Sequence, residues 1–224
     1  MPGRNTILAN GETYHIFNRG VASQPTFIDK KDYQRVMDSF FYYQNITPPI
    51  KYSKFLMISA KERDNIINNL RKKKFFHADI IAYCFMPTHF HLLLRQNEEN
   101  GISKFVGNFT NSYTRYFNTK RERKGPIFEG KFGSVRIETS EQLLHVSRYI
   151  HLNPYSSYLV KTTQELESFT YSSFNEYIAG NSNLCNKDFI LENFKTAKEY
   201  KKFVFDQADY QKKLNNIKHL LLEN

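Results

Sequence analysis

Tryptophan is absent from the 224 residues, and cysteine occurs only twice, as the widely separated Cys84 and Cys185. Two such thiols form neither a disulfide framework nor a metal-ligand cluster. Glycine (9) and proline (7) are too sparse for a collagen-like or low-complexity chain. Apolar runs are also short: Leu92–Leu94 and Leu220–Leu222 are typical, far below the roughly 20 residues that a membrane span needs. The opening MPGRNTILANGETYH lacks the apolar centre of a signal peptide, so a cytoplasmic protein is expected, with no membrane partner. Acidic residues fall short as well, with 22 Asp+Glu against 32 Lys+Arg, leaving a net charge of +10.

What the chain has is aromatic mass. Twenty Phe and 15 Tyr can fill a substantial core and exclude wholesale disorder. The positive charge is clustered. Between Tyr113 and Arg136, Arg115, Lys120, Arg121, Arg123, Lys124, Lys131 and Arg136 face only Glu122 and Glu129, a local excess of +5. Arg71–Lys74 forms a second basic cluster. Cations interleaved with Tyr and Phe suit a polyanion whose bases stack on rings, although a solvated basic surface has the same composition.

Periodicity orders the elements. Thr13–Asn18 alternates as a strand and reaches a turn at Arg19-Gly20. Asp29–Gln44 repeats with helical spacing, ends before Thr47-Pro48-Pro49, and is followed by a polar helical excursion over Ser59–Lys74. Phe75–Phe85 and His89–Arg95 read as a hairpin around Met86-Pro87-Thr88. A helix over Ile102–Thr119, a loop from Gly125-Pro126, a strand over Phe132–Glu138 and a helix capped by Ser140 and stopped at Asn153-Pro154 complete the series. The order predicts an α+β fold: a ferredoxin-like split βαβ antiparallel sheet with helices on one face. Residues 1–167 would form this domain, and 168–224 a C-terminal helical extension.

Two patterns could carry chemistry. His89 and His91 flank Phe90, and on a strand both imidazoles project to one face from Cα atoms about 7 Å apart. They can share a divalent cation, or simply form a polar half-exposed face. On the helix from Ser140 to Asn153, Tyr149 and Asn153 are neighbours at i and i+4. An Asn153 amide oxygen could complete a metal shell, while a packed ring with a solvated hydroxyl is the plainer reading of Tyr149. Among 15 tyrosines, spacing alone cannot select this one.

Together, Phe17–Gly20 (FNRG), Tyr83–Leu94 (YCFMPTHFHLLL), Asn111–Asn118 (NSYTRYFN), Gly125–Lys131 (GPIFEGK) and Arg148–Pro154 (RYIHLNP) resemble the REP-associated tyrosine transposases, members of the HUH single-tyrosine group. The likeness spans about residues 10–180. It implies a ferredoxin-like catalytic domain with His89 and His91 as metal ligands and Tyr149 as nucleophile, Tyr113 and Tyr116 being the rival nucleophiles and His145 and His151 flanking the site in sequence. Asn153 stands where relatives place a third polar ligand, often Gln. The cofactor implied is Mg²⁺ or Mn²⁺. The partner implied is single-stranded or hairpin DNA, engaged by Arg19 and the Arg115–Arg136 cations. The oligomeric state stays open between monomer and homodimer. A domesticated relative that holds a hairpin without cutting it is the alternative.

Overall fold

In the computed structural model, residues 7–180 and 184–213 are described. Strand β1 (Thr13–Arg19) leads into helix α1 (Lys30–Tyr43). Asp29 caps α1, its carboxylate accepting from the Asp32 amide. A long connection carries the short α2 (Tyr52–Phe55) and α3 (Ala60–Lys73). The hairpin of β2 (Ala78–Met86) and β3 (His89–Gln96) follows, then α4 (Gly101–Lys120), β4 (Gly133–Ile137) and α5 (Ser140–Ser156). Helices α6 (Thr163–Glu167), α7 (Phe174–Ala179), α8 (Asp188–Leu191) and α9 (Ala197–Phe205) complete the described chain. The sequence reading of residues 214–224 as helix-rich lies outside the described residues.

The four strands are antiparallel in the order β2-β3-β1-β4. Strand β3 separates β1 from β2, which is the split βαβ arrangement expected. On one face, α1 and α4 bury Phe40, Phe85, Phe90, Phe105 and Phe109 in a single aromatic layer. Burial of each such ring contributes on the order of 2–3 kcal/mol.

The expectation of helices on one face holds for α1 and α4, and α5 adds a layer on the other. Strand alternation requires it, because His89 and His91 point away from Phe90 and meet α5. The C-terminal helices join this second layer and the same core: Leu166, Phe174, Tyr177, Ile190, Tyr200 and Val204 are all buried. Their chain also covers the outer edge of β2, where Tyr171 O accepts from Phe85 N and Ser173 N donates to Tyr83 O. An exposed edge would otherwise invite pairing with another chain.

Two helix boundaries differ from the sequence reading. Thr139, not Ser140, caps α5, accepting from Gln142 N. The helix also runs through Pro154 to Ser156. Proline removes one backbone donor there, but it sits in the last turn, among buried Leu152, Asn153 and Ser156. The Asn153 carbonyl accepts from Ser157 N, closing the end.

Candidate active site

The β2–β3 turn fixes the site. Pro87 O accepts from both Thr26 N and Phe27 N, and Thr88 O accepts from Gly20 N at 2.7 Å. These bonds lock the start of β3 to the exit of β1. In the resulting register, Arg19 lies opposite His89 and Phe17 opposite His91. The chain of β4 approaches beside Phe17 at Gly133, where a Cβ would come within 2.5 Å of the Phe17 ring. Only glycine fits there without displacing that half-exposed ring.

His89 and His91 stand edge to face, ring centres 5.0 Å apart. Each has its Nδ1 engaged. His89 Nδ1 meets the Thr88 hydroxyl at 2.9 Å, and His91 Nδ1 meets His15 Nε2 at 3.0 Å. The Nε2 atoms are left for the site, and His89 Nε2 lies 3.3 Å from Asn153 Oδ1. Two donors bound about 2.1 Å from one octahedral cation would stand about 3 Å apart, so this separation fits. Neighbours that hold the second imidazole nitrogen are the usual support of metal-binding histidines. Among the described residues no group of three or more His, Cys, Asp and Glu is arranged to hold a metal ion. The donor set is two imidazoles and an amide, which leaves open positions for a phosphate and water.

Burial keeps the imidazoles neutral. It lowers His15 to about 4, His91 well below the ordinary histidine value, and His89 in the same direction. Neutral imidazoles are the ligand form. The Tyr149 ring lies 5.3 Å from His91 and 6.0 Å from His15, edge-on to both. Burial raises its phenol above the ordinary value, while the Asn153 amide and the Arg19 charge pull it down.

The rival tyrosines lie elsewhere. Tyr113 is fully buried in the α1/α4 layer, donating its hydroxyl to Thr26 O at 2.5 Å. Tyr116 sits beneath Arg35 and Lys120 in that same layer. His145 is exposed beside Arg148, and His151 is enclosed by Tyr200 and Ser173, with Nδ1–Oη 2.7 Å and Nε2–Oγ 2.8 Å. Among the described residues neither has a hydrogen bond or ring contact with His89, His91 or Tyr149.

Three of the candidate DNA-binding cations are engaged internally. Lys120 and Arg121 bind the fully buried Asp32 at 2.8 and 2.7 Å, tying α4 to α1, and Arg136 pairs with Glu12 at 2.8 Å. Arg19, Arg115, Arg123, Lys124 and Lys131 have no carboxylate partner among the described residues. His15 was missed by sequence reasoning. Its only signal is the Tyr14-His15-Ile16 alternation, which puts its ring on the face opposite the two core residues.

Comparison with known proteins adds the family. A family model described as IS200-like transposase matches residues 42–153, half of the chain. A solved structure of a REP-associated tyrosine transposase bound to a REP hairpin superposes with a TM-score of 0.55. The overlap covers 82% of this chain and 90% of that one at 15% identity, a likeness of fold. No curated protein matches.

Proposed function

Because the chain belongs to the IS200-like transposase family, we propose that it cuts and rejoins single-stranded, hairpin-flanked DNA through a phosphotyrosine at Tyr149. The observation that carries this reading is the meeting of His89 Nε2 with Asn153 Oδ1 beside the Tyr149 ring, with Arg19 on the same sheet face. The hairpin bound by the structural neighbour makes such DNA the substrate to test.

Each residue has a part. His89, His91 and Asn153 would hold a divalent ion, Mg²⁺ or Mn²⁺. When bound, that ion supplies Lewis-acid stabilisation of charge on the scissile phosphate. Thr88 and His15 engage the Nδ1 atoms of His89 and His91, so that both Nε2 atoms would be available to hold the ion. Arg19 adds a fixed positive charge that favours both phosphate and phenolate. Phe17, 38% exposed at the rim, offers a ring on which an unpaired base can stack.

In the reaction, Tyr149 Oη bonds to phosphorus as the bond from phosphorus to the 3′ oxygen breaks. The phenol proton ends, net, on the departing 3′-hydroxyl. One phosphodiester replaces another, so a second 3′-hydroxyl can reverse the step without ATP.

The test is incubation of the full chain with single-stranded DNA containing a hairpin, with Mn²⁺ or with EDTA, followed by denaturing electrophoresis. Nicked DNA joined to protein, lost in EDTA, is expected. Nicking without an adduct would identify a water-using nuclease. Tight hairpin binding with no nick in either condition would identify a domesticated binder.

A further inference from the structure

The connection between α1 and β2 runs from residue 44 to 77, whereas links within such units usually take a handful of residues. It is a built arm. Tyr42, Tyr52, Phe55 and Leu70 form a separate small core. Ile46 N donates to Phe75 O and closes the base of the arm. Tyr42 donates its hydroxyl to Ile50 O, and the Arg35 guanidinium lies 4.5 Å over the Tyr52 ring.

The arm also carries charge. Lys51, Lys54, Lys61, Arg63, Arg71, Lys72, Lys73 and Lys74 face only Glu62 and Asp64, eight minus two or +6, against +10 for the whole chain. Glu62 is occupied in the capping box with Ser59. Among the described residues none of the eight cations has a carboxylate partner, whereas Lys120, Arg121 and Arg136 each do. Folding therefore shifts much of the unpaired positive charge from the α4–β4 region to this arm. Arg71, Lys72, Lys73 and Lys74 are exposed in succession, followed by Phe75, a ring 65% exposed. Lys74 has φ +50°, a position usually filled by glycine, which turns the chain sharply beneath the cluster.

We propose that this arm, centred on Arg71–Lys74, is a second DNA-backbone contact that grips the duplex stem or flank while the strand to be cut occupies the histidine site. The proposal rests on the DNA-processing reading above. Charge complementarity selects the partner: clustered cations with an adjacent exposed ring suit phosphates and exposed base faces. The arm joins the N-terminal end of β2, and the site lies beside its C-terminal end, with His91 opposite Cys84 and His89 opposite Met86. The nine residues of β2 span about 27 Å, about eight base pairs of B-DNA. A short single strand filling the site would therefore not reach the arm.

The experiment compares the wild-type full chain with the combined variant Arg71→Gln, Lys72→Gln, Lys73→Gln and Lys74→Gln. Fluorescence anisotropy would follow a long-stemmed DNA hairpin and a short single strand across a range of salt. The hairpin's log K against log salt slope should flatten by about 2–3 units, with roughly a hundredfold weaker binding near 0.1 M salt. Short-strand binding and the thermal midpoint should not change. An identical hairpin slope in both proteins overturns the proposal and leaves the DNA reading intact. A wild type that binds neither DNA refutes that reading, and the proposal with it. Exposed Leu56 and Met57 make a membrane surface the competing use of the arm. Loss of binding to phosphatidylserine vesicles, with hairpin affinity unchanged, would assign it there instead.

Discussion

Replacing His15 by Leu isolates the part of the site that is hardest to see in the sequence. His15 Nε2 is the partner of His91 Nδ1 at 3.0 Å, in a pair whose rings are stacked with centres 5.1 Å apart. Burial holds His15 down to about 4, so at neutral pH it is uncharged and can accept the His91 Nδ1 proton. That bond leaves His91 Nε2 unprotonated and available as a ligand. Leucine fills the space and accepts nothing. The buried His91 donor then lacks its partner, at a cost of about 1–3 kcal/mol, unless the ring turns or changes tautomer. Loss of such support typically weakens metal binding 10- to 100-fold, or about 1.4–2.7 kcal/mol. His15→Gln places an amide oxygen near the position of Nε2 and should recover most of the affinity. Calorimetric Mn²⁺ titration measures the first effect, and ¹⁵N shifts of the His91 ring in metal-free protein report the tautomer. A Leu variant that binds Mn²⁺ as well as wild type, with an unchanged His91 tautomer, would refute the reasoning.

Other outcomes follow from the same structure. Asp32→Ala removes the buried carboxylate that receives Lys120 and Arg121, and should lower unfolding free energy by about 3 kcal/mol in denaturant titration. An effect below about 1 kcal/mol would contradict the tie between α1 and α4. Acid should destabilise the fold well above the carboxylate range. Burial lowers His15 to about 4 and His151 to about 3, while both titrate near 6.5 when unfolded. The unfolded chain therefore binds more protons as pH falls below 6.5. The loss grows until about 4 for His15 and about 3 for His151, and reaches about 2 kcal/mol for each near pH 5. Equal stability at pH 7 and pH 5 would show that these rings are not held neutral.

Legibility followed the range of the signal. The His89-Phe90-His91 alternation and the Tyr149–Asn153 spacing are local, so strand and helix periodicities alone put each pair on one side of its element. What joins the two pairs is the crossing of α5 over the sheet face opposite α1 and α4. No periodicity states that packing. His15 was hidden for the same reason: 76 residues separate it from His91, and only the β1–β3 register brings them together. Lys120 and Arg121 looked free because Asp29 and Asp32, their partners, lie about ninety residues earlier in the chain. The Ser59 capping box was readable from four residues, and the excursion it begins was expected as a helix. Its accumulation of unpaired charge emerged only once the ion pairs elsewhere were known.

The most direct test of the central claim is to map the covalent link. Wild-type protein would be trapped on hairpin DNA, digested with protease and nuclease, and the nucleotide-bearing peptide sequenced by mass spectrometry. The nucleotide should sit on the Tyr149 hydroxyl. Tyr149→Phe, which leaves the ring packed against His91, should form no adduct and cut no DNA while still binding the hairpin. A nucleotide on Tyr113 or Tyr116, or full cutting by Tyr149→Phe, would contradict the account.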